Sequence, residues 1–167
     1  NDYIIVNKIA DHETHKSVLL DYFSKESKEF CHISNTDWEN NKDKRRPWIY
    51  YFRDNIVSQI TQKLNDRMNS LDMILHNIWF QQYNENDDHD WHNHIECQFT
   101  NVYYVELPKN QATEIFDFDV DINEGDVLTF PSFLYHRSKA NLTKERKTIV
   151  SFNTCFNRMK LDKKEDT

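Results

Sequence analysis

Apolar positions along the chain change period near residue 70, and that change divides the sequence into two kinds of structure. Near the start, DYIIVNKI (2–9) reads as a short strand. Asp11 is placed to cap a helix that carries Val18, Leu19, Tyr22 and Phe23 at helical spacing, out to about Lys28. Residues 31–46 show no period and are polar. Pro47 then stands where a first helical turn accepts proline, and Ile49, Phe52, Ile56, Ile60 and Leu64 follow at steps of three and four. This spacing predicts an amphipathic helix to about Met68.

After Ser70 the pattern becomes β-branched and aromatic. LDMILHNIWFQQY (71–83), FTNVYYVEL (99–107), TEIFDFDVDI (113–122), GDVLTF (125–130) and KTIVSFNTCF (147–156) read as strands separated by short turns. About seven strands with no helices between them pair antiparallel. The expected fold is therefore mainly β: a double-stranded β-helix, or jelly roll, with two helices packed outside. One domain accommodates all 167 residues, with 1–70 as helical support, 71–157 as the jelly-roll core and 158–167 as a frayed polar tail. Gly125 is the only glycine, so Asn and Asp must build the turns.

Charge narrows the partners. A net charge of −7 argues against duplex nucleic acid and anionic membranes, which select basic surfaces. The cluster KDKRR (42–46) is expected to be a solvated loop. No apolar run approaches the ~18 residues a spanning helix needs. Three scattered cysteines, Cys31, Cys97 and Cys155, suit reduced thiols, and a cytoplasmic location is expected.

The chemistry concentrates in YNENDDHDWHNHIE (83–96). His92 and His94 are two apart, so on a strand both imidazoles face one side, either as ligands of one metal or as a surface or packed histidine pair. His136 follows the apolar approach GDVLTFPSFLY and is expected to be partly buried, either as a third ligand or as a core histidine bonded to a carbonyl. Arg146 begins the last strand. It either grips an anion or belongs to a solvated run with Lys144, Glu145 and Lys147.

Taken in order, WHNH (91–94), NVYYVELP (101–108), EGDVLTFPSFLYHR (124–137) and RKTIVSFN (146–153) resemble the 2-oxoglutarate and Fe(II)-dependent oxygenases, most of all the small oxygenase-like proteins of bacteria and phages. The likeness covers about residues 77–157. It implies that His92 and His136 bind Fe(II), and that Arg146 holds the distal carboxylate of 2-oxoglutarate with Thr148 as helper hydroxyl. Tyr83 would hydrogen-bond the cosubstrate. The implied reaction uses 2-oxoglutarate and O₂ to hydroxylate an unidentified primary substrate, giving succinate and CO₂. Where the family has a carboxylate, this chain has His94. Either His94 ligates in a three-histidine site, or Glu96 supplies the carboxylate in a shifted register, or the site has lost iron. Asp90 and His89 are expected in the loop or behind the ligands. Trp79, Phe80, Trp91, Phe99, Tyr103 and Phe133 are expected to wall the cavity, and loops 31–46 and 84–91 to recognise substrate. Two other readings use the same barrel. One is a cupin-type dioxygenase or isomerase without 2-oxoglutarate; the other is a non-catalytic binding module.

Overall fold

The computed structural model describes residues 2–159. Among them, nine strands form two antiparallel sheets. The major sheet has the order β1 (Ile5–Lys8), β7 (Asp126–Pro131), β5 (Phe99–Glu106), β9 (Lys147–Met159), β3 (Ser70–Tyr83) and β2 (Asn35–Thr36). The minor sheet has the order β4 (His89–His92), β8 (His136–Ser138) and β6 (Glu114–Ile115). This is the expected double-stranded β-helix. β4 pairs β8 antiparallel, with His92 opposite His136.

Alternation along the strands builds two cores. On one face of the major sheet, Ile78, Phe80, Tyr103, Val105, Val127, Val150 and Phe152 pack against the helices. On the other, Tyr83, Val102, Tyr104, Leu128, Phe130 and Ile149 form the core on the side of the minor sheet. Side chains two apart share a face, so each strand serves both cores.

The helical layer consists of α1 (His12–Ser24), α2 (Pro47–Phe52) and α3 (Ser58–Arg67). α2 and α3 are joined through one π-helical stretch at Arg53–Val57, which the apolar spacing does not show. Ile49, Phe52, Ile56, Ile60 and Leu64 are all fully buried, as their spacing predicts. Burying each such side chain contributes about 1.5–3 kcal/mol of transfer free energy. Asp11 stands at the start of α1 but in a left-handed conformation, without a side-chain cap. α1 ends at Ser24, four residues short of the expected end.

Asn and Asp do build the tight turns. Asp11, Asn69, Asn86, Asn110 and Asp117 are five of the seven non-glycine described residues with positive φ. Gly125 has φ +88°, and a Cβ there would stand 2.9 Å from Cγ of His12, so both backbone angle and space require glycine.

Three expectations fail here. KDKRR is not wholly solvated: Arg46 turns inward, bonds Asp37 and donates to the Ile78 carbonyl at 2.5 Å. The strand expected over 113–122 shrinks to Glu114–Ile115, because Phe118 folds back to bridge Ile115 around the left-handed Asp117. Loop 31–46 contains the edge strand β2 and a 3₁₀ turn at Trp38–Asn40. Of the expected tail, residues 158 and 159 complete β9, and 160–167 lie outside the described residues. Among the described residues, no helix is long and apolar enough to cross a membrane.

Candidate metal centre

β4 and β8 bring three histidines together between the sheets. His92 ends β4, His136 begins β8, and His94 lies just past the end of β4, where its amide donates to the Ser132 carbonyl. One ring nitrogen from each of the three lies within 4.8 Å of the others. Ring centroids are 4.2 Å apart for His92 and His136, 5.0 Å for His94 and His136, and 5.4 Å for His92 and His94.

Hydrogen bonds fix the tautomers. Nδ1 of His92 faces the Asp90 carbonyl at 2.6 Å, and Nδ1 of His136 faces the Leu134 carbonyl at 3.1 Å. Nδ1 of His94 lies 2.7 Å from Oδ1 of Asn153. A carbonyl oxygen only accepts, so Nδ1 carries the proton in all three rings, and each Nε2 is left with a lone pair. Burial keeps the rings neutral. It pushes His136 down to about 3 and His94 to about 4, and it lowers His92. Three neutral imidazoles with free Nε2 lone pairs are a donor set for a first-row divalent metal.

Asn153 is itself held. Its Nδ2 donates to Oδ1 of Asn77 at 2.7 Å, Nδ2 of Asn77 donates to Oδ1 of Asn41 at 3.1 Å, and Thr100 donates to Oδ1 of Asn153 at 3.1 Å. Sequence reading missed this relay, since lone asparagines in strands carry no local signature. His89, expected in the loop or behind the ligands, opens β4 and stacks on His92 at 3.8 Å with its pKa pushed down to about 4 by burial. Glu96 is exposed with φ 63° and stands outside the three-histidine group.

The expected clamp is corrected. Arg146 is exposed and pairs with Oε1 of Glu106 at 2.8 Å, and Thr148 donates to the same oxygen at 2.6 Å. Strand parity explains this. Residues 146 and 148 share the face of Val150 and Phe152, which look toward the helices. Lys147 takes the opposite face with Ile149 and Ser151. It is 1 % exposed, and no carboxylate pairs with it among the described residues. Its Nζ donates to Oγ of Ser138 at 2.7 Å and lies 5.2 Å from the centre of the Tyr83 ring. Burial pushes the Lys147 ammonium down to about 7. Tyr83 pairs with Lys147 across β3 and β9, and its hydroxyl donates to Oε1 of Gln81 at 2.6 Å. Ser138 is two residues from His136, so it lies about 7 Å further along β8 on the same face.

Two spaces meet at the histidines. A small inner cavity of about 20 Å³ is lined by Tyr83, Val102, Arg137, Ser138, Ile149 and Ser151 together with the histidines. An outer cleft of about 580 Å³ is walled by Phe30, Ile33, Trp38, Trp79, Asp88 and Asp90. Of the six aromatics expected to wall the cavity, Trp79 borders both spaces. Phe80 and Tyr103 belong to the helix-side core and Phe99 packs against it, while Trp91 and Phe133 are exposed.

The fold is shared with solved structures of 2-oxoglutarate-dependent oxygenases. HygX from Streptomyces hygroscopicus, with nickel and 2-oxoglutarate bound, superposes with a TM-score of 0.68 at 10% identity, over 93% of this chain and 83% of that one. The viral collagen prolyl hydroxylase of Paramecium Bursaria Chlorella virus-1, in complex with 2-oxoglutarate, gives 0.67 at 13% identity, over 93% and 97%. A Pseudomonas putida prolyl-4-hydroxylase gives 0.61 at 11% identity, over 92% of each chain. No protein-family model matches the sequence, and no curated protein matches it. The likeness is one of fold.

Proposed function

We propose that this protein is a non-haem oxygenase that binds Fe(II) through His92, His94 and His136 and uses 2-oxoglutarate and O₂ to hydroxylate a substrate. The observation that carries the reading is the grouping of one ring nitrogen from each of three histidines within 4.8 Å, with every Nδ1 hydrogen-bonded to an oxygen, near a buried lysine that no carboxylate pairs among the described residues. When bound, iron with 2-oxoglutarate and O₂ supplies the oxidising power to insert oxygen into a C–H bond, leaving succinate and CO₂. The protein supplies the rest. Three histidines on one side leave the other side of the metal open. Lys147 pairs with the distal carboxylate of the cosubstrate, and Ser138 orients that ammonium. Ile149, Val102 and Tyr83 wall the inner cavity against water. The nickel and 2-oxoglutarate held by HygX support the assignment of both groups.

The test is anaerobic. Fe(II) followed by 2-oxoglutarate should produce the visible charge-transfer band of a chelated keto acid. Lys147→Met should weaken 2-oxoglutarate binding by about 10- to 100-fold, the loss of a charge-assisted hydrogen-bonded pair. Arg146→Ala should leave it within about twofold, as for an exposed ion pair elsewhere. Iron bound without a band would shift the reading to a cupin-type three-histidine enzyme. Failure to bind iron would leave a non-catalytic barrel.

A further inference from the structure

The outer cleft has a chemical character of its own. Thirteen residues line it, and none is lysine or arginine. Asp88 and Asp90 are its only carboxylates, both on the wall formed by 84–90, a stretch with four carboxylates and no lysine or arginine. Phe30, Trp38 and Trp79 supply aromatic surface around the same space. The two walls are tied together. His32 Nδ1 bonds Oδ1 of Asp88 at 2.6 Å, and the Asp88 amide donates to the His32 carbonyl at 3.2 Å. Asp90 is exposed, and its Oδ1 accepts only from its neighbour's amide, Trp91 N, at 2.7 Å. Trp79 is 3 % exposed, and its indole N–H has no hydrogen-bond partner among the described residues. A buried donor left unpaired costs about 1–3 kcal/mol, which a ligand acceptor at this boundary between the two spaces would recover.

Charge is unevenly distributed around the histidines. Lys147 is buried against Ser138 and does not line the outer cleft, whereas carboxylates and aromatic rings do. A phosphorylated or carboxylate-rich substrate entering the front would meet repulsion and no counter-charge. An alkylammonium or guanidinium group would meet both carboxylates and the faces of tryptophan rings, the two environments that bind such cations.

The geometry points to a primary substrate that carries an ammonium or guanidinium group on an apolar frame, seated between Asp88, Asp90 and the Trp38–Trp79 wall with a C–H bond turned toward the histidines. This rests on the oxygenase reading, since the cleft is a substrate cleft only if the histidines hold a reactive metal. The cation belongs either to a free amine or to a basic side chain of a peptide, and the experiment separates these.

Protein loaded with Zn(II) and 2-oxoglutarate is titrated with spermidine, with a short lysine-containing peptide, and with the N-acetylated form of each, following tryptophan fluorescence and heat. Binding of an amine, loss of binding on acetylation, and about fivefold weakening in each of Asp88→Asn and Asp90→Asn are expected. Preference for spermidine assigns a free amine, and preference for the peptide assigns a basic side chain. Equal binding of the acetylated forms, or no weakening in either variant, would overturn the proposal. A second measurement needs no ligand at all. Cys31 is exposed on the cleft wall, and in a Cys97→Ser, Cys155→Ser background its rates with cationic and anionic methanethiosulfonates read the local potential. The cationic reagent should react about tenfold faster at low salt, with the ratio falling in high salt and in both Asp variants. A ratio near one would overturn the proposal even if Zn(II) and 2-oxoglutarate bind. If they do not bind, the oxygenase reading fails on its own, and the Cys31 ratio still decides the polarity of the cleft.

Discussion

His94 takes its orientation from a side-chain amide, whereas His92 and His136 lean on backbone carbonyls. If His94 ligates as proposed, it is the ligand whose setting can be altered without touching the ring itself. Asn153→Leu removes the nearer acceptor, leaving the Thr100 hydroxyl oxygen at 3.0 Å, and should raise the dissociation constant for Co(II) or Zn(II) by about 10-fold, while Asn153→Asp keeps the acceptor and should rescue most of it. Measuring Tm of the metal-free variants separates this from instability, because Leu also strands Oδ1 of Asn77. Equal affinity in all three proteins would show that His94 does not ligate. Lys147 gives a second prediction. With its pKa held down at about 7 by burial, the free protein loses the ammonium as pH rises past 7, and the bound carboxylate restores it. Affinity for 2-oxoglutarate should fall with rising pH above about 7, with uptake of up to one proton per molecule bound. Calorimetry in two buffers of different ionisation enthalpy counts that proton; an affinity flat from pH 6.5 to 9 would remove Lys147 from the carboxylate site.

Elements were legible where burial alternates and obscure where a single side chain decides. The apolar spacing of 47–68 and the dense strands 71–83, 99–106 and 147–156 fixed both layers, since hydrophobic burial is read directly from period. HxH and His136 were legible as a group because their order along the chain is local to two paired strands. Sequence could not show which of Arg146 and Lys147 turns inward, because one residue on a strand reverses the face. The register places Lys147 opposite Tyr83, with Lys147 buried and Arg146 exposed. Arg46 was hidden for another reason. In a run of four cations within five residues, composition cannot show which one turns inward, and its carbonyl partner Ile78 is 32 residues away. Arg46 and Trp48 both donate to Oδ2 of Asp37, while Oδ1 accepts from the amide of Phe80, so one carboxylate fastens the loop, α2 and β3 together. Asp37→Ala should therefore cost about 3–5 kcal/mol, the penalty of stranding a buried charge. Arg46→Ala should cost a similar amount, and the double variant less than the sum, as urea unfolding would show.

Across the whole molecule, the histidine cluster makes stability depend on pH and, on the proposed reading, on metal. Burial holds His89 and His94 at about 4 and His136 at about 3, against 6.5 in a solvated chain. Between pH 6.5 and about 4 the unfolded chain therefore binds protons that the folded protein refuses, and stability must fall as pH falls. Above that window these histidines contribute no slope. Lys147 acts at the other end, where a folded pKa of about 7 against 10.5 unfolded means that stability rises with pH between those values. On the proposed reading, a divalent metal would bind the same Nε2 lone pairs and so compete with protons for them. At pH 7.5, metal at about 100 times its dissociation constant should add about 2.7 kcal/mol. That increment should shrink on acidification below pH 6.5 less steeply than for solvated histidines, because the folded rings remain neutral to lower pH. Thermal melts of metal-free and Zn(II)-loaded protein from pH 4.5 to 8 test both slopes. A metal-free Tm that does not decline toward pH 4.5 would mean that the rings are solvated in the folded state, and the argument for a ready-made three-nitrogen site would fall with it.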